Sequence, residues 1–400
     1  MQGQAASSRH LPGWPRAVLL AVYGAGAAIL LARLYVMWSV GGTAWQQADW
    51  LISFADGPVR RGVSGEFFLL LSDVTGIGVV ALVCAAQAAL VLIVFWGVLR
   101  AVLHIGVSER VLLLALSPAF LAFWVYEPNA GFRKEILGFI AFLPLLGCAA
   151  DRLKPTNALL FSFTIFVIAV AFHEVNAFLS IFLLIGFAIC LGGLSERASI
   201  IMWAAAIGMV SLTGLGFALL FPAVSSSQTM CEQVVARGAS AAICDGIFHW
   251  IQYGVSDQRE NAWIFAVKGT GLVVLFSYVI ISIPLFVATG SSPHKHKLRL
   301  LYVASAIPLV PLYVMSVDWG RWMALHVTGL ILVALVAFVK YRPDWTNVPI
   351  KPIPLVVGLL ISGFYGFGHV VPKPMYGVTL EFVKVATIPS ILRKELNETP

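Results

Sequence analysis

Residues 158–189 read ALLFSFTIFVIAVAFHEVNAFLSIFLLIGFAI, and the only ionisable or amide side chains in that run are His173, Glu174 and Asn176. Each half approaches the ~20 apolar residues that a spanning helix needs. The stretch therefore reads as two membrane helices folded back on a polar turn. A histidine beside a glutamate there joins two groups able to exchange protons near neutral pH, in a place where charge is costly. A buried structural network closing the hairpin is the plainer alternative. The motif lacks the second histidine of a metalloprotease site.

The same alternation extends both ways along the chain. Apolar segments at 17–40, 72–98, 111–126, 135–150, 158–172, 177–193, 199–221, 262–289, 300–317, 322–339 and 353–371 predict an all-α, polytopic transmembrane bundle of about ten or eleven spanning segments. Composition agrees. Of 400 residues 60% are hydrophobic and 11% charged, under half of the ~25% usual in soluble domains, and the mean hydropathy is +0.90. A soluble fold of this size needs a polar shell that the chain does not supply, so a conventional soluble catalytic domain is excluded. Residues 1–371 read as one transmembrane domain with an extracytoplasmic loop at 222–260. Residues 372–400 read as a polar or interfacial tail, amphipathic from Leu380 to Leu396 around Lys384, Arg393 and Lys394. The opening run is expected to be the first spanning helix and not a cleaved signal, with Arg33 snorkelling to the interface.

The net charge of +7 comes from 26 Lys and Arg scattered between apolar runs. Membrane lipid, and not nucleic acid, is thus the expected partner. The basic turns His294 to Arg299 and Lys340-Tyr341-Arg342 belong on the cytoplasmic side by the short-loop charge rule. With the N-terminus also inside, 222–260 lies outside. Cys231 and Cys244 in that loop are placed for a disulfide if the compartment is oxidising, free thiols being the alternative. Cys84, Cys148 and Cys190 read as small core residues. No Cys–His spacing fits a metal site, and no cofactor is expected.

Four charged groups share the outer side in this topology. Arg60-Arg61 sit in a Gly/Pro turn between Asp56 and Glu66, suited to forked bonds with phosphate or carboxylate, to lipid headgroups or to their own neighbouring acids. Asp73 follows inside the next apolar run. Arg133-Lys134 lie between Glu127 and Glu135, suited to holding a polyanion, to placing an acid–base group or to a turn neutralised in place. His173-Glu174 is the third group. The fourth is Asp318-Trp319-Gly320-Arg321, where Asp318 and Arg321 share a helical face and Trp319 can anchor the interface or stack on a sugar. A lipid-facing surface would not tolerate so many unpartnered charges, so a polar cavity open to one side is expected.

In layout, and in Arg60-Arg61, Arg133-Lys134, His173-Glu174 and Asp318 to Arg321, residues 17–371 resemble bacterial multi-pass surface-polysaccharide polymerases and related lipid-linked-sugar glycosyltransferases. The resemblance implies a bacterial cytoplasmic membrane and a substrate made of a charged isoprenoid-pyrophosphate-linked saccharide with an apolar tail. In that reading Glu174 with His173 carries acid–base chemistry and Asp318 orients Arg321 or the acceptor. Arg60, Arg61, Arg133, Lys134, Arg321 and Trp319 bind substrate. The alternatives are a proton-coupled transporter using His173, Glu174, Asp73 and Asp318, with helices broken at Gly76, Gly214 to Gly216 and Gly363, or a noncatalytic subunit that binds lipid-linked glycan for transport.

Overall fold

The structure, a computed structural model, describes residues 13–192, 196–293, 295–342, 348–370 and 374–387. Apolar side chains on all sides of the long segments leave no face suited to water, which is the pattern of helices in lipid or in a bundle core. Among the described residues, seven helices are long and apolar enough to cross a bilayer: α1 Trp14–Ser39, α2 Val79–Ile105, α3 Pro155–Phe172, α4 Arg197–Leu220, α5 Ser256–Thr289, α6 Lys295–Met315 and α7 Trp319–Tyr341. Shorter or broken apolar runs at 109–126, Glu135–Ala149, Glu174–Cys190 and Pro352–Phe364 complete the alternation. The chain is a polytopic, all-α membrane protein. Its only described strands are Tyr365–Phe367 and Pro374–Tyr376, a small antiparallel pair.

Several expected spans have other bounds, for identifiable reasons. The run at 72–98 is two helices, Gly62–Thr75 and α2, because Gly76 takes a left-handed conformation (φ 68°) and caps the first. The run at 111–126 breaks at Ser117-Pro118 into Glu109–Ala115 and Leu121–Tyr126. The run at 135–150 breaks before Pro144, which fits only a first helical turn. α5 starts earlier than 262, carrying Asp257, Gln258, Arg259 and Glu260 in its first two turns. α4 passes unbroken through Gly214 and Gly216. Gly214 has its use in packing, since a Cβ there would overlap Val170 of α3.

α7 is the central post: 94% of its most apolar stretch is buried, against 11% for α4, which faces outward. The tail helix Val378–Thr387 docks on the bundle through buried Glu381, which accepts from Arg33; Arg33 also donates to the Val125 carbonyl. Arg33 therefore does not snorkel, because a carboxylate brought from 348 residues away supplies its counter-charge. Arg393, Lys394 and His294 lie outside the described residues.

The two ends of the bundle differ. At one, Lys340 meets Asp151 (3.2 Å), Arg342 meets His104 (2.6 Å), and Arg110 donates to the carbonyls of Val287, Ala288 and Val348. The other holds the loop of residues 40–62, the segment 221–255 and the start of α7. There Gly41 and Ala44 carbonyls accept from Ser240 and Ile247, and the Phe221 carbonyl accepts from Arg60. Cys231 and Cys244 are joined by a disulfide at this end, with Cα atoms 5.7 Å apart.

Candidate functional site

The loop after α1 does not stay on the surface. Residues Ala48 to Ser53 are all buried, held by Trp50 Nε1 donating to the Phe132 carbonyl (2.7 Å) and by a Gln47–Gln87 amide contact (2.8 Å). This fold-in carries Asp49 into the protein, fully buried. Helix Gly62–Thr75 then lies directly on the loop. Gly62 and Gly65 allow it, since a Cβ on either would overlap the Phe54 ring or the Ile52 carbonyl. Arg61, before the helix, is left-handed (φ 68°) without being glycine, a conformation that costs of order 1 kcal/mol or more and needs outside support.

Arg61 receives that support from two acids. Its Nε and Nη2 lie 3.2 and 3.1 Å from Glu174 Oε1, and its Nη1 lies 3.3 Å from Asp49 Oδ1. Glu174 is presented by the break after α3. His173 leaves the helix in an extended conformation, its Nδ1 3.2 Å from Glu174 Oε2, and Asn176 ties the turn to the Ala169 carbonyl. The third strand of the network is Glu135, which pairs with Arg321 and lies 3.8 Å from His173 Nε2. Arg321 also holds Asp318 at 2.5 Å. Gly320 lets residues 368–370 cross the start of α7, where His369 and Val370 carbonyls accept from the backbone of Arg321 and Trp319. Side chains from five places in the chain thus form one line: Asp49, Arg61, Glu174, His173, Glu135, Arg321, Asp318.

Lys134 and Arg133 flank that line. Lys134 is wholly buried, donating to Ser64 Oγ (2.9 Å) and lying 3.4 Å from the Arg61 carbonyl. Burial pushes its ammonium down to about 8. Burial alone would raise the Asp49 carboxyl, but Lys134, Arg61 and Arg133 together hold it well below the usual carboxylate range. Arg133 donates to the Asn129 and Trp45 carbonyls (3.0 and 3.1 Å) and stands over the Trp45 ring at 5.9 Å. Among the described residues it has no ion pair. Arg60 approaches Glu174 only to 3.7 Å, and its Nε has no hydrogen-bond partner. Asp49 Oδ2, Glu135 Oε2 and Trp322 Nε1 are likewise buried without one.

Two apolar cavities open from this charged line, one on each side of α4. The narrower, about 440 Å³, lies between α3 and α4; the wider, about 590 Å³, lies between α4, the 174–190 run and the end of α6. Arg60, Arg61 and Glu174 line both.

All four charged groups anticipated from the sequence meet here, with exceptions in the first and the fourth. Asp56 caps the helix Gln228–Val235 instead, accepting from Thr229 and Met230, and Glu66 accepts from Phe54 (2.7 Å), so neither neutralises Arg60-Arg61. Asp73 is exposed and paired with Arg237 at 2.7 Å, away from the line. Trp319 gives its Nε1 to the Tyr313 carbonyl, and Trp322 is the indole that lines the wider cavity. Asp49 and the nodal role of Glu135 were not found from sequence. An acid within the otherwise uncharged AWQQADWLISF (44–54) was the available signal. No family profile, curated protein or solved structure matches the chain. The chemistry of the site is therefore read from its own geometry.

Proposed function

We propose that the protein transfers a sugar from an isoprenoid-diphosphate carrier at the extracytoplasmic face of a bacterial cytoplasmic membrane. The observation that carries this reading is the junction of Arg60, Arg61 and Glu174 with two apolar cavities. A lipid-linked sugar has the same division, an anionic head where charge can be met and a tail that belongs in hydrocarbon. The disulfide at the site's end favours an oxidising compartment there, and the basic residues at the opposite end favour the cytoplasm.

Availability sorts the residues. Arg61 and Arg321 are each held by two carboxylates, so they position those acids and set the local charge. Arg60 and Arg133 are the cations with donors to spare for a diphosphate, with Lys134 adding charge from behind. Glu174 lines both cavities, so it is the carboxylate that an acceptor hydroxyl can reach. Asp49 lies a layer deeper, behind Arg61. In the reaction, the acceptor oxygen bonds to the anomeric carbon as the carbon–oxygen bond to diphosphate breaks. The diphosphate leaves with the electron pair toward Arg60 and Arg133, and the hydroxyl proton passes to Glu174, which His173 orients.

The test is reconstituted protein with a defined lipid-linked oligosaccharide. Glu174→Gln should still bind the donor and lose about 10²–10⁴ in turnover, the usual cost of a missing general base. Arg60→Lys should impair reaction more than assembly, because one ammonium cannot replace two parallel guanidinium donors. Normal turnover by folded Glu174→Gln would remove it from the chemistry. Solute uptake coupled to protons by wild type, with no glycosidic product, would establish the transporter in its place.

A further inference from the structure

We infer that the end of the bundle opposite the charged line carries a phosphate-binding site built from His104, Arg152 and Arg342. The site stands apart from both cavities and does not depend on the transferase reading.

Three helix ends meet there. His104 is in the last turn of α2, Arg152 follows the helix Leu143–Ala149, and Arg342 caps α7. Arg342 Nη2 donates to His104 Nε2 at 2.6 Å, and Arg152 Nη2 lies 3.4 Å from His104 Nδ1. Both nitrogens of one imidazole therefore face guanidinium donors. A neutral imidazole has a single acceptor nitrogen, and the shorter contact takes it. Nδ1 is then an N–H aimed at another donor. An imidazolium would fare worse, setting two N–H groups against two cations. The arrangement lacks an acceptor that carries negative charge.

Neighbouring groups do not supply one. Cations near a helix C-terminus are ordinarily drawn to its last carbonyls, as Arg110 is at the end of α5, where it donates to Val287 and Ala288. Arg152 and Arg342 turn to the ring instead, and among the described residues neither meets a carboxylate. Asp151, beside Arg152 in sequence, is held by Lys340 at 3.2 Å. The backbone adds a separate observation. Three described residues other than glycine are left-handed: Arg61 in the charged line, and Asp151 (φ 54°) and Arg342 (φ 39°) here. Aspartate enters that region comparatively readily, but a helix cap of this kind usually takes glycine. An arginine kept there is the sort of strain that gathers at ligand sites.

A phosphate group fits what is missing. It brings negative charge and several acceptor oxygens, one for Nδ1–H and Arg152 together and another for the donors Arg342 has left. Guanidinium forks match it. A lipid phosphodiester and a dissolved phosphate share that chemistry. The exposed Arg152 and Arg342 face solvent, while Tyr341 and Leu153, next to them in sequence, are exposed apolar side chains suited to lipid. Filling the site would tie the end of α2 to that of α7, the helix that carries Arg321 at its other end.

Full-length protein in detergent is melted against rising inorganic phosphate, with ionic strength held by chloride. Parallel samples receive phosphatidylglycerol, or dioleoylglycerol, which lacks the phosphate. A ligand that binds the folded state raises the melting temperature. Wild type should respond to inorganic phosphate or to phosphatidylglycerol, and not to dioleoylglycerol. A response to phosphatidylglycerol alone assigns the site to lipid, and a response to inorganic phosphate assigns it to a dissolved anion. In Arg152→Gln and Arg342→Gly the concentration for half the rise should grow about tenfold or more, the usual cost of one hydrogen bond to a charged group. Glycine at 342 suits the left-handed backbone, so that variant keeps the cap. Arg16→Gln, which removes an exposed cation at the start of α1, should respond as wild type does. No response of wild type to either phosphate would overturn the site. So would a response unchanged in Arg152→Gln and Arg342→Gly, or one weakened equally in Arg16→Gln, which would mean diffuse charge.

Discussion

Asp49 keeps one oxygen on Arg61 while the other, buried, meets nothing. Removing its charge should act through Arg61 and the incoming anion. Asp49→Asn is expected to lower KM for a diphosphate donor by about tenfold, since one repelling charge is gone, and to lower kcat as Arg61 closes on Glu174. A fall in kcat with KM unchanged or raised would mean a merely structural role. Lys134 gives a pH signature of its own. Its ammonium loses its proton as pH rises through about 8, so donor affinity should fall there. Folding linkage has the opposite sign. The unfolded lysine stays protonated to about 10.4, so the unfolded chain binds more protons between the two values and stability rises with pH across that window. Lys134→Met should abolish both trends, measured by donor titration and by melting from pH 7 to 10. These residues were unequally legible. Arg60, Arg61, Glu174 and Arg321 stand out because charge is rare in the chain, while Asp49 has no charged neighbour in sequence and becomes a partner only when its loop folds inward.

Breaks between helices, more than the helices, build the site. The turn after α3, the left-handed Arg61 and the start of α7 each present a charged side chain at an interruption. Hydropathy located the apolar mass, yet it merged Gly62–Thr75 with α2 and joined the two halves of 109–126, because Gly76 and Pro118 alter backbone geometry without lowering the average hydropathy of the run. The close approach of Gly65 to Ile52 is the contact that joins helix to loop, with the Gly65 amide donating to the Ile52 carbonyl at 3.0 Å. Gly65→Ala puts a methyl group against backbone that no rotamer can move. It should cost roughly 1–3 kcal/mol as an overpacked contact, lower the melting temperature and weaken donor binding together. Gly208→Ala on α4, where nothing lies within 4 Å, is the matched control and should leave the melting temperature unchanged or raised. A Gly65→Ala protein with wild-type melting would show that the helix does not rest on this loop.

At the scale of the whole molecule, charge is distributed by end. The line from Asp49 to Asp318 lies at the end bearing the disulfide, and polar groups along α7 thin out below it. His326 is bonded to Tyr278 and Ser305, Thr328 to the Ala119 carbonyl, and the next ionisable side chain is Lys340 at the far end. A path for protons would continue through the bundle, whereas a site working on one leaflet needs only one end. Which end faces the cytoplasm is therefore decisive, because a carrier-linked donor outside the cell requires the charged line to be outside. The basic turn after α5 and the disulfide predict that orientation independently, one through retention of short basic loops and the other through oxidation. Two exposed positions read it out: Ser225, at the disulfide-bearing end, and His296, at the start of α6. Cys84, Cys148 and Cys190 are buried, and Cys231 is bonded to Cys244, leaving a low background for thiol labelling. In intact cells an impermeant maleimide should label Ser225→Cys and reach His296→Cys only after the membrane is opened. Labelling of His296→Cys in intact cells, with Ser225→Cys protected, would invert the protein, place the arginines in the cytoplasm and require a donor from that side.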